Sequence, residues 1–118
     1  MNRIELAYAK RGSRRQAQVN EGEAMNFEWH PAKAEINLAK HGVSFKEAQE
    51  AFDDENGIVF PDEIHSEGES RFRLLGASQL HLLVVTYTLR MDENGHEIIR
   101  LISARQAERW EKRQYYEF

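Results

Sequence analysis

The chain has 118 residues, a formal net charge of −4 and no cysteine. That length suits one domain with a modest core, and the missing cysteines exclude disulfides and thiolate chemistry and favour an intracellular setting. No apolar run approaches the roughly 20 residues of a membrane span, the N-terminus lacks the apolar stretch of a secretory signal, and a cytoplasmic protein is expected.

In chain order, residues 1–24 set Arg3, Lys10, Arg11, Arg14 and Arg15 against Glu5, Glu21 and Glu23. They read as a basic, irregular arm, with a single compact domain over 25–118 starting at Met25. Asn26 to Trp29 is a short strand candidate. Pro31 at its front and Gly42 at its back predict a helix of about three turns from Pro31 to His41. Ala32, Ile36 and Ala39 give that helix a narrow apolar stripe. Ser44 with Glu47 forms a capping box for a second helix, Val43 and Ala48 staple it, and Phe45, Ala48, Ala51 and Phe52 are its core positions. Ile58 to Phe60 is a strand stopped by Pro61, and an acidic loop follows from Asp62 to Ser70.

Three strand runs come next: Arg71–Leu75, Leu80–Leu89 and Glu97–Ala104, separated by turn residues at 76–79 and 91–95. The middle run is apolar at nearly every position, as expected of a central strand covered on both faces. Its end alternates, with Thr86, Thr88 and Arg90 on one side. Ser103 and Gln106 read as a second capping box opening a last helix, in which Ala107, Trp110 and Gln114 recur at helical spacing. Helices set apart from an antiparallel run of strands make the class α+β.

Charge is unevenly spread. Residues 44–69 hold nine acids against one base, Lys46, whereas 70–91 hold Arg71, Arg73 and Arg90 and no acid. Arg100 interrupts an otherwise apolar strand, where a guanidinium is costly unless an anion meets it. Two uses of these arginines stay open. If Arg71, Arg73, Arg90 and Arg100 converge, they suit a phosphodiester, because guanidinium offers a fork of donors matched to phosphate oxygens. Otherwise each pairs with a carboxylate such as Glu67 or Glu69. The five histidines show no metal-site spacing, and Asp62, His65 and Glu67 read as a solvated loop rather than a metal site. His41 beside Lys40, at a helix end, is the best placed for proton transfer, although helix capping accounts for it equally well. Trp29, Trp110, Tyr115 and Tyr116 read as packing anchors. No nucleophile elbow and no glycine-rich phosphate loop is present, so no cofactor is implied.

Several phrases go further. Phe27-Glu28-Trp29, Lys40-His41-Gly42-Val43-Ser44-Phe45, His65 to Glu69 with Arg71, Leu82 to Val85 with Thr88 and Arg90, and Ile99 to Arg105 with Ala107 resemble the BrnT-type toxins, from about Phe27 to Tyr116. The resemblance implies a RelE-like microbial ribonuclease fold, with two N-terminal helices packed on an antiparallel sheet and a C-terminal helix. It implies a type II toxin that cuts RNA without a metal and arrests translation. A BrnA-type ribbon-helix-helix antitoxin would neutralise it, as a heterotetramer that meets operator DNA only through the antitoxin. On this footing Arg71, Arg90 and Arg100 bind phosphate and stabilise the transition state. Lys40 or His41 assists proton transfer, and Arg73, Thr88 and Arg105 contact the substrate. Three departures stand out: His30 where the family has Asp, Leu80-His81 where it has Gly-Arg, and the arm before Met25. The alternative is a non-catalytic relative that only binds protein or RNA, its arginines tied up in ion pairs. A DNA-binding regulator acting alone is disfavoured, because no helix-turn-helix spacing with a basic recognition face is present.

Overall fold

Strands rich in buried apolar residues build the frame of the protein. Its structure, a computed structural model, describes residues 10–11, 25–63 and 68–117. Six strands, β1 (Lys10–Arg11), β2 (Asn26–Glu28), β3 (Ile58–Pro61), β4 (Arg71–Ala77), β5 (Leu82–Met91) and β6 (Glu97–Gln106), form one sheet in the order β1-β3-β4-β5-β6-β2. Three helices accompany it: α1 (Pro31–His41), α2 (Phe45–Glu50), continued by a 3-10 turn at Ala51–Asp53, and α3 (Arg109–Glu117). The class is α+β, as expected, but the sheet is mixed rather than wholly antiparallel. β2 runs parallel to β6; it is laid there by a helical excursion rather than a hairpin, so its direction is not forced to oppose its neighbour. Of the N-terminal arm, Lys10 and Arg11 pair antiparallel with Val59 and Ile58; the rest of it lies outside the described residues.

Both faces of the sheet are covered. On one, Phe45, Ala48 and Phe52 pack on Leu74, Leu83, Val85, Tyr87 and Leu101. On the other, Ala107 and Tyr115 cover Ile58, Phe60, Leu75, Leu82 and Val84. This is why Leu82 to Val85 read as a continuous apolar run: all four are buried. Gly76 belongs to β4 and not to the turn expected at 76–79. A Cβ there would lie 2.8 Å from the carbonyl oxygen of Ala51, so the glycine lets the strand pass close under the 3-10 turn.

Helix α1 docks differently from expectation. Ala32, Ile36 and Ala39 are exposed, Ile36 to 64%. The buried residue is Asn37, whose Nδ2 donates to the carbonyls of Val43 (2.9 Å) and Ala104 (2.8 Å), and whose Oδ1 accepts from the Ala104 N–H at 3.0 Å. A side-chain amide that reproduces a strand's backbone pattern fixes the helix to β6 where an apolar stripe would otherwise do so. The ends follow the sequence: His30 Nδ1 accepts from the Ala32 N–H, and Gly42 closes the helix at φ 69°. In α2, Ser44 Oγ accepts from the Glu47 N–H, as the capping box requires. The Glu47 carboxylate, however, accepts from Ser78 Oγ at 2.6 Å and lies 2.8 Å from His81 Nδ1. The second box is not formed. Ser103 to Gln106 remain in β6, and the cap of α3 is Glu111, which accepts from the Glu108 N–H at 2.8 Å.

Candidate functional site

A single irregularity in β6 assembles the site. Arg100 and Arg105 have opposite parity, so a regular strand would send them to opposite faces. The pairing of β5 with β6 shifts between Thr86 and Tyr87: Ser103 lies opposite Thr86, but Leu101 lies opposite Tyr87. The extra residue, Ile102, makes a bulge that flips the parity and brings both arginines to the α3 face. Arg100 then stands in one row with Glu28, Thr88 and Arg71, and Ser103 in the next with Thr86 and Arg73.

Beyond Val85 this face turns polar and opens into a hollow of about 290 Å³, lined by Asp62, Arg71, Arg73, Thr86, Ser103 and Arg105. Its three cations are held differently. Arg105 makes a bidentate pair with the buried Glu111, at 2.8 and 2.9 Å, and this pair holds it more firmly charged than usual. Arg71 has Glu69 at 3.9 Å, on the solvent side. Arg73 makes no ion pair with any described residue, and its buried Nε–H has no hydrogen-bond acceptor. A buried donor left open is costly, and a hydrogen-bonding group brought to it relieves that cost.

Arg90 and Arg100 are on the same face but outside the hollow, at the β2 edge. Glu28 holds both: Arg90 Nε and Nη2 donate at 2.7 and 2.6 Å, and Arg100 Nη1 donates at 2.9 Å. Arg100 thus meets the anion its place in an apolar strand called for. The Arg90 hydrogen bonds, reinforced by Arg100, hold the Glu28 carboxyl down at about 2. Because this folded-state value lies below the unfolded one, the stabilisation is complete above the unfolded pKa of about 4.3 and is lost as pH falls towards 2. Urea midpoints measured between pH 5 and pH 2.5 should therefore fall less steeply in Glu28→Gln than in the parent chain. Equal slopes would show that the cluster contributes nothing to acid stability.

Other expected participants are placed elsewhere. Lys40 and His41 end α1, in the layer on the opposite face of the sheet from the arginines. Thr88 is 3% exposed and its hydroxyl donates to the Ser70 carbonyl at 2.7 Å, so Thr86 and not Thr88 lines the hollow. His65 and Glu67 lie outside the described residues. Sequence reasoning gave no substrate role to Asp62, weighed only as a metal ligand, to Ser103, read as a helix cap, or to Thr86. Thr86 was signalled by its alternation with Thr88 and Arg90, but Ser103 was hidden by the bulge and Asp62 by its place in an acidic run. Cations with a carboxylate and two hydroxyls around one opening suit a phosphodiester: the guanidiniums neutralise its oxygens, and the carboxylate can accept a proton.

A family model described as the ribonuclease toxin, BrnT, of type II toxin–antitoxin systems matches residues 29–111. That range contains every residue named above around the hollow. No curated protein matches the chain.

Proposed function

This chain belongs to the BrnT family of ribonuclease toxins of type II toxin–antitoxin systems, and on that premise we propose that the hollow takes one phosphodiester of an RNA strand and cleaves it. The observation that carries this is the convergence of Arg71, Arg73 and Arg105 with Asp62 on a single opening. The 2′-hydroxyl oxygen attacks the adjacent phosphorus, and its proton passes to the Asp62 carboxylate. The bond from phosphorus to the 5′-oxygen breaks, and that oxygen takes a proton from solvent. A 2′,3′-cyclic phosphate and a 5′-hydroxyl end result. The negative charge that builds on the phosphoryl oxygens is met by the guanidiniums of Arg71 and Arg73, with Arg105 held in place by Glu111. Fixed guanidiniums supply the charge stabilisation that a metal ion would otherwise give, so the reaction is metal-independent.

The wider assignment follows the family. The fold is of the RelE-like ribonuclease type, the toxin domain spans 25–118 behind a basic arm that adds the edge strand β1 to its sheet, and the protein acts in the cytoplasm to arrest translation. A BrnA-type ribbon-helix-helix antitoxin covers it in a heterotetramer and carries any contact with operator DNA. Among the described residues no helix is long and apolar enough to cross a membrane.

Antitoxin-free protein incubated with total RNA and excess chelator should yield fragments ending in cyclic phosphate and 5′-hydroxyl. RNA left intact, or cleavage that stops on adding chelator, would overturn the mechanism. A second reading has a specific basis: Glu28 engages Arg90 and Arg100, and Glu111 engages Arg105, as in a non-catalytic binder. It predicts RNA retention without cleavage in the same assay, and unimpaired growth when the chain is induced in a bacterial host.

A further inference from the structure

Beside the hollow, and sharing Arg73 and Val84 with it, lies a second and smaller cavity of about 20 Å³, walled by Phe60, Leu75, Trp110 and Gln114. Its walls are mostly apolar, yet two polar atoms among them are buried without any hydrogen-bond partner: Nε of Arg73 and Oε1 of Gln114. One is a donor and the other an acceptor. Their side chains line one cavity, and leaving both atoms unpaired is costly; once the cavity opens, a ligand edge that carries an acceptor next to a donor would satisfy them together. Nucleobases have such edges.

As it stands the space has room for about one water and is too small for a base. The outer wall is the indole of Trp110, which is 42% exposed and whose N–H donates to Glu108 Oε2 at 2.9 Å, itself on an exposed residue. Moving the indole outward breaks that one solvent-facing bond. The neighbouring turns of α3 present Arg109, Lys112 and Arg113 to solvent, a positive track along which a strand leaving the hollow can run.

We propose that this cavity is a base-recognition subsite, in which a nucleobase adjoining the bound phosphate stacks on Trp110 and is read by Arg73 Nε–H and the Gln114 amide. The inference rests on the reading of the hollow as a phosphodiester site and adds to it a subsite for the base. In it Arg73 links two tasks, its Nη groups facing the phosphate and its Nε the base. Trp110 passes from packing anchor to stacking platform, and Gln114 becomes a specificity residue.

The test compares three kinds of ligand on the intact chain: inorganic phosphate, ribose 5-phosphate and the four nucleoside 5′-monophosphates, titrated calorimetrically and by indole fluorescence. Trp29 packs against Phe45 on the opposite face of the sheet, so quenching by a base reports on Trp110. Nucleotides should bind about tenfold or more tightly than ribose 5-phosphate, as stacking on an aromatic side chain provides. That ratio should fall towards one in Trp110→Ala, and the ranking among the four bases should flatten in Gln114→Leu, with melting curves confirming that both variants fold. Equal affinity for ribose 5-phosphate and nucleotides, or a preference that survives Trp110→Ala, would mean that the cavity holds only water and would overturn the subsite. Phosphate binding without base preference leaves the hollow standing and removes only the subsite. If none of the ligands binds, both are lost.

Discussion

Asn37→Ala should destabilise the protein by about 3–5 kcal/mol, the largest stability loss expected from a single exposed-helix or core-edge substitution here. The amide makes three hydrogen bonds, all buried, to Val43 and to both backbone groups of Ala104. Alanine leaves two carbonyls and one N–H without partners, each at about 1–3 kcal/mol, and opens a small void besides. Helix α1 has little else with which to hold on, because Ile36 and Leu38 are 64% and 51% exposed. Loss on that scale is a large share of the roughly 5–15 kcal/mol that keeps a domain folded. Asn37→Asp is a sharper probe: it keeps the acceptor for the Ala104 N–H but turns a second carboxylate oxygen towards two carbonyls, and it should be at least as damaging. Ile36→Ala, on the solvent side of the same helix, should stay within about 0.5 kcal/mol. Urea denaturation with a constant m-value measures all three. A loss below about 1 kcal/mol for Asn37→Ala would show that water replaces the amide and that α1 is held by other contacts.

This case marks where the sequence is readable and where it is not. Elements whose cause is local were legible: Pro31 and Gly42 bound α1, Ser44 opens α2, and apolar, β-branched runs between turn residues located the strands. What holds α1 to the sheet is a contact with Ala104, 67 residues away, and an Asn inside a helical pattern looks like any exposed polar residue. The bulge at Ile102 is equally silent. It changes the parity of β6, and parity decides which arginines meet, so the convergence of Arg105 with Arg71 and Arg73 could be known only from the register. The partners of the arginines show the same division. That Arg100 needs an anion follows from its apolar strand; that the anion is Glu28, on a parallel neighbour, does not. Lys40 and His41 were attractive because they adjoin in sequence, yet their helix lies across the sheet from the arginine face. The Ser103–Gln106 box failed because β6 runs on through those residues, and the cap is supplied by Glu111 three residues inside the helix.

Arg73→Ala should lower RNA cleavage by about 10²–10³-fold, the loss typical of removing one preorganised donor to a developing oxyanion. The same change should leave stability unaltered or slightly raised. The two expectations together separate a functional arginine from a structural one. Arg105 is structural in part: removing it strands the buried Glu111, and such a change costs about 3–5 kcal/mol. Arg90 and Arg100 share one carboxylate, so removing either leaves Glu28 with a partner. Arg73 has no carboxylate partner among the described residues, and its buried Nε–H is unsatisfied; alanine relieves a penalty and breaks no pair. Arg73→Lys keeps the charge and loses the fork of donors, so cleavage should recover only in part. Asp62→Asn completes the comparison. As acceptor of the 2′-hydroxyl proton, Asp62 acts on the chemical step alone, so Asp62→Asn should lower the cleavage rate while RNA binding is kept, whereas Arg73→Ala should weaken both. An Arg73→Ala protein that melts well below the parent yet cleaves RNA at the parent rate would place the positive charge of the hollow in the service of folding, and the phosphate would have to be sought elsewhere on the sheet.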